Sequence, residues 1–221
     1  MGAAIGDILG NAVGVAISPV PIIAVILMLF SAKAVANSLG FLAGWVLGLS
    51  VAGLIVLALD LSASGGGESD SGGWIKIAIG ALFVFLGWKQ WSSRPQGDDE
   101  PKMPGWMASI DEFNPVKSFG LGFVLSAVNP KNLGLTIAAV VSISGSGLST
   151  GDEVITLAVF ILIASLTVAV PVLLNLALGS KAEATLTTMK EWLVANNNTV
   201  MAVLLVVIGA KVLGAGISVV A

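Results

Sequence analysis

Six apolar stretches account for most of this chain: Ala4 to Phe30, Ala36 to Asp60, Gly73 to Trp91, Val116 to Ile143, Glu153 to Gly179 and Asn198 to Val220. Each is long enough to cross a hydrocarbon layer of about 30 Å as a helix. Lipid offers a backbone no hydrogen-bond partners, so stretches of this kind fold as helices that satisfy their own polar groups. The 221 residues are 56% hydrophobic and 10% charged, against roughly a quarter charged in a soluble domain. That much apolar surface needs lipid to cover it. The sequence therefore predicts an all-α integral membrane protein with six transmembrane helices.

Chemistry narrows next. The chain has no cysteine and no histidine, which removes disulfides, thiol redox chemistry, Cys/His metal sites and histidine general bases. The expectation is no catalytic residue, no metal site and no cofactor, and hence not an enzyme. A net charge of -3, scattered along the chain, gives no footprint for nucleic acid. Met1 to Gly14 lacks the basic region and cleavage site of a signal peptide, so the first stretch reads as a retained span.

The connections fix an orientation. Lys33, Lys89, Arg94, Lys102, Lys117, Lys181 and Lys190 lie in or beside the loops after spans one, three and five, while Lys76 and Lys211 lie near span ends on the other side. Positive loops stay cytoplasmic, which predicts both termini outside. Ser62 to Gly73 reads as a flexible Gly/Ser loop, and the acidic run Asp98-Asp99-Glu100 reads as solvated. Three spans on each side of the Ser92 to Glu112 segment can be related only by inversion. The expected organisation is a three-helix repeat over residues 1–92, a cytoplasmic linker over 93–115 and an inverted three-helix repeat over 116–221. Ile79-Gly80-Ala81 and Ile208-Gly209-Ala210 are a short match between spans three and six.

Spans one and four are broken. Ser18-Pro19-Val20-Pro21 interrupts the first, and Asn129-Pro130-Lys131-Asn132 the fourth. Each break comes about 14 residues, or roughly 20 Å, into its span from opposite faces, close to the bilayer midplane. A proline inside a helix removes a donor and frees the carbonyl four residues earlier. Hydrocarbon cannot satisfy that group, so matched breaks point to a central site. Ser18, Pro19, Pro21, Asn129, Pro130, Lys131 and Asn132 are therefore the candidate substrate-binding residues. A lysine near the midplane costs about 2.5–3.5 kcal/mol to insert, so Lys131 must meet either an anionic cargo group or, in the plainer reading, backbone carbonyls or water.

Other polar and small residues have simpler readings. Asn11 and Asn175 read as interhelical hydrogen-bonding groups, and Pro171 as a kink. Gly40, Gly44 and Gly48 form a stripe for close helix packing, within one chain or in a homodimer. The six tryptophans, Trp45, Trp74, Trp88, Trp91, Trp106 and Trp192, read mostly as an interfacial belt.

At Ile17-Ser18-Pro19-Val20-Pro21-Ile22, Phe41-Leu42-Ala43-Gly44-Trp45-Val46-Leu47-Gly48 and Asn129-Pro130-Lys131-Asn132-Leu133 the chain resembles the actinobacterial GAP family. These are six-span proteins of the LysE-type exporter superfamily, also called the Sap or lipid-addressing family. The resemblance covers essentially the whole chain. It implies an inner-membrane exporter or flippase for an amphipathic cell-envelope glycolipid or lipid-linked intermediate, anionic where its head meets Lys131. Membrane lipids and the cargo are the expected partners, with a lipid synthase or exporter as partner if the chain is a scaffold. A small amino-acid exporter and a non-transporting scaffold are the alternatives. A Ser/Lys hydrolase built on Ser18 or Ser126 with Lys131 is the remote one. No GxxxxGK[ST] loop is present, so energy must come from a gradient, from substrate supply or from a partner.

Overall fold

A computed structural model describes residues 1–59, 70–95 and 105–221. Those residues are predominantly helical, with no strand among them. In chain order they form α1 (Gly2–Ala16), α2 (Pro19–Leu29), α3 (Ala34–Ala58), α4 (Asp70–Ser92), a 3-10 helix (Gly105–Glu112), α5 (Pro115–Ala127), α6 (Pro130–Ser144), α7 (Thr150–Leu178), a 3-10 turn (Gly179–Ala182) and α8 (Glu183–Val220). Proline stands at the first position of α2, α5 and α6, where its missing N–H costs nothing and its fixed φ suits a helix start. The residues ahead of these prolines, Ser18, Asn114 and Asn129, are accordingly non-helical, with ψ of 97, 168 and 121°.

Two stretches are long and apolar enough to cross a bilayer, Ala34–Ala58 and the run Thr150–Val220. The pairs α1/α2, bent by 53°, and α5/α6, bent by 58°, each pass the same test when taken as one broken span. The boundaries differ from the sequence reading in places. The last helix starts at Glu183, well ahead of Asn198, because Lys190, Glu191 and the run Asn196 to Asn198 lower hydropathy without interrupting helical hydrogen bonding. Helix α4 begins at Asp70, inside the stretch read as a Gly/Ser loop. Most of that loop, and Asp98 to Glu100, lie outside the described residues.

Contacts divide the chain into two compact units that each draw on both halves of the sequence. The larger holds α1 to α3, the 3-10 helix, α5 to α7 and α8 as far as Glu191. Its closest pairing is α3 on α5. A Cβ at Gly40 would lie 2.7 Å from the Pro115 carbonyl oxygen, one at Gly44 would run into the Phe119 carbonyl, and one at Gly48 would come 2.9 Å from the Phe123 carbonyl. Each contact advances four residues on both helices, so they run parallel, with the small residues Ser118, Gly122 and Ser126 opposite. The glycine stripe of α3 is therefore filled from within the chain. Trp45 is fully buried here and stacks on Phe41; it belongs to this packing and not to an interfacial belt. Trp74, Trp88, Trp91 and Trp192 are exposed, as a belt requires.

The smaller unit pairs α4 with α8 from Trp192 onward. Gly73 meets Val220 and Gly216, Gly80 meets Gly209, and Gly87 meets Ala202. One helix ascends as the other descends, with small residues every seventh position on each. That antiparallel, seven-residue seam brings the backbones together at Gly80 and Gly209. The two Ile-Gly-Ala segments matched in the sequence are thus placed face to face.

Candidate functional site

Every carbonyl that the first break releases has a partner. In an unbroken helix the carbonyls of Gly14, Val15, Ala16 and Ile17 would accept from the N–H groups of residues 18 to 21. Residues 19 and 21 are prolines and have none. The N–H of Ser18 turns back to the Ala16 carbonyl at 2.8 Å. Side chains meet the rest: Lys131 Nζ donates to the Gly14 carbonyl at 2.8 Å and the Ile17 carbonyl at 3.1 Å, Ser18 Oγ donates to the Val15 carbonyl at 2.7 Å, and Thr167 Oγ1 on α7 donates to the Ala16 carbonyl at 2.5 Å.

Lys131 spends its third N–H on Ser18 Oγ, at 2.7 Å. The side chain is 5% exposed, and all three ammonium donors therefore end on the first break. Hydrogen bonds to a charged group contribute about 1.5–3 kcal/mol each, so three of them offset the roughly 2.5–3.5 kcal/mol of inserting a lysine. The ammonium also sits at the C-terminal, negative end of the α1 dipole. Of the two sequence readings of Lys131, backbone carbonyls occupy it here, with Ser18 as the third acceptor.

The second break is built differently. Asn129 caps α6 by accepting the Lys131 N–H at 3.0 Å, and Asn132 Nδ2 donates to the Leu125 carbonyl at 2.9 Å. That second bond aims Asn132 Oδ1 at Ser18 Oγ, 3.1 Å away, where it shares the one Ser18 hydroxyl proton with the nearer Val15 carbonyl. Asn132 is fully buried, and its own carbonyl accepts from Thr136 Oγ1 at 2.8 Å. Pro130 leaves the Ser126 carbonyl without its helical donor. The N–H groups of Val128 and Asn129 both go to the Val124 carbonyl. Among the described residues no donor is placed on the carbonyls of Ser126, Ala127 or Val128. Val128 and Pro130 are exposed there and Ala127 is half-buried, whereas Ser126 is fully buried against α3, so the open side of this break is at Ala127 and Val128.

Of the seven residues singled out in the sequence, Ser18, Lys131 and Asn132 form one hydrogen-bonded cluster. Pro19, Pro21 and Pro130 act through the donors they lack, and Asn129 acts as a cap. Thr167 escaped notice; a polar residue one turn ahead of Pro171 is the signal available in the sequence. Asn11 is buried on α1 but takes no part in the cluster among the described residues. Asn175 lies elsewhere, at the end of α7, beside a cavity taken up below.

A family model described as Sap, sulfolipid-1-addressing protein, matches residues 8–218. No curated protein and no solved structure matches the chain.

Proposed function

The chain belongs to the Sap, sulfolipid-1-addressing protein, family, a lipid-addressing family of membrane proteins, and from that premise we propose that it is an inner-membrane exporter or flippase for an amphipathic envelope glycolipid. One observation carries the proposal. Of two proline breaks bent to nearly the same degree, one has its carbonyls covered by Ser18 and by side chains from two other helices, and the other leaves the Ala127 and Val128 carbonyls without a donor among the described residues. The head group docks at the open break, its hydroxyls donating to the carbonyls of Ala127 and Val128. Where the head carries an anion, Lys131 releases Gly14 and Ile17 and turns to it, and the bolt between the breaks opens.

In this reading the chain crosses the membrane six times, as two inverted halves with both termini outside. The pairings agree with alternating crossings: α3 and α5, the second and fourth crossings, run parallel, whereas α4 and α8, the third and sixth, run antiparallel. Rocking of one broken span against the other exposes the site to each side in turn. The glycine stripe of α3 is taken up by α5 and is not the surface of a homodimer.

The test compares inner and surface lipids by mass spectrometry in cells lacking the protein and in cells complemented with wild type or Lys131→Ala. Accumulation of one envelope lipid inside the null and the Lys131→Ala cells, with the variant normally inserted, supports export and names the cargo. Unchanged lipids together with cytoplasmic amino-acid build-up would replace it with small-solute export. Lipid accumulation in the null that Lys131→Ala fully corrects would leave a scaffold.

A further inference from the structure

A cavity of about 280 Å³ opens at the far end of α2, one helix length from the break. Leu29 and Phe30 form its apolar wall; Asn175 on the last turns of α7, Ser180 of the 3-10 turn and Glu183 at the start of α8 supply an amide, a hydroxyl and a carboxylate. Gly179, with φ of 55°, makes the turn that folds these polar groups around one space. Two turns along α8 from Glu183, Lys190 holds its ammonium 5.6 Å from the centre of the Phe30 ring, a cation–π distance. A carboxylate and an ammonium thus flank one aromatic wall, about 10 Å apart along the helix axis. Helix side chains tilt toward the N-terminus, which carries the Lys190 ammonium back toward Glu183 and Phe30.

Such a pair selects a ligand with the opposite order of charges: a donor cation for Glu183 and Asn175, and an anion for Lys190. The location selects its source. The cavity sits where α2 and α7 end, and Leu173 and Leu176, on either side of Asn175 in the sequence, are 59% and 49% exposed, offering an apolar track beside a polar pocket. We infer that this cavity holds the head group of a zwitterionic aminophospholipid, its primary ammonium on Glu183 and Asn175, its phosphate on Lys190 and an acyl chain along α7. The site is separate from the two breaks and does not depend on what they carry. A choline head would occupy the same volume but has no N–H to donate, so recognition is for the primary ammonium.

Native mass spectrometry of the full chain in micelles tests this with four probes: phosphatidylethanolamine, phosphatidylcholine, phosphatidylglycerol and water-soluble glycerophosphoethanolamine. Phosphatidylethanolamine is expected to be retained about tenfold over the other two lipids, the weight of one charge-assisted bond. Glu183→Gln abolishes that preference. Lys190→Met weakens phosphatidylethanolamine and phosphatidylglycerol alike, and both variants keep the melting temperature of wild type. Equal retention of phosphatidylcholine, a preference that survives Glu183→Gln, or displacement of the lipid by an equal concentration of glycerophosphoethanolamine would each overturn the inference.

Discussion

At the break between α1 and α2, prolines at 19 and 21 release carbonyls that Lys131, Ser18 and Thr167 then cover. Between α5 and α6, Pro130 releases the carbonyl of buried Ser126 in the same way and Asn132 covers its neighbour, Leu125, while Ala127 and Val128 have no donor among the described residues. The bends, 53° and 58°, are nearly equal. What differs is how many side chains from elsewhere in the fold reach each one. A helix can be interrupted for structure or for a guest, and only an accounting of donors separates the two cases. The first break is an anchor, held by Lys131 from the second, and the proposed function makes the second a receptor.

The largest expected effect comes from removing that link. Lys131→Met strands two buried carbonyls, each costing about 1–3 kcal/mol. Relief of the lysine's insertion cost offsets part of this, and the net loss expected in micelle unfolding is about 2 kcal/mol. Thr167→Val withdraws one donor from Ala16 and should cost about 1 kcal/mol; no change would mean that the first break tolerates an open carbonyl. Pro21→Ala in the Lys131→Met background returns an N–H to Ile17 and should recover about 1 kcal/mol of the loss. In the wild-type background, where Ile17 is already served, the same change should be nearly silent, and this double-mutant comparison isolates the carbonyl from general effects of proline. The smallest stability effect is at the second break. Pro130→Ala gives the buried Ser126 carbonyl a donor and lets the helix close past Ala127 and Val128; it should shift stability by no more than about 0.5 kcal/mol, yet lower export in the lipid comparison. Unimpaired export would show that the open acceptors have no role.

Much of this asymmetry could not be read from the sequence. Prolines are local signals, so the two breaks were legible from residue type and spacing, whereas Asn129, read as a binding candidate, turns out to cap α6. The glycine stripe at Gly40, Gly44 and Gly48 announced close packing, and α5 supplies its partner. The destination of Lys131 was not legible, because it depends on bringing residue 131 against residues 14 to 18 across more than 110 positions of chain. Thr167 was hidden for the same reason. Ile79-Gly80-Ala81 and Ile208-Gly209-Ala210 looked like a trace of repetition; in the fold they form one seam, and a shared packing requirement is enough to explain the likeness. Trp45 shows the limit of position along a span as a guide, since its burial follows from the face of α3 it occupies.

The most direct test of an anchor and a receptor reads both breaks in one sample. Full-length protein in lipid nanodiscs, carrying carbonyl ¹³C labels at Ile17 and Ala127, is titrated with envelope lipid extract and followed by NMR. The account predicts that the Ala127 signal moves with added lipid at concentrations where Ile17 does not. A shift at Ile17 with Ala127 unmoved would place the guest at the first break and contradict it.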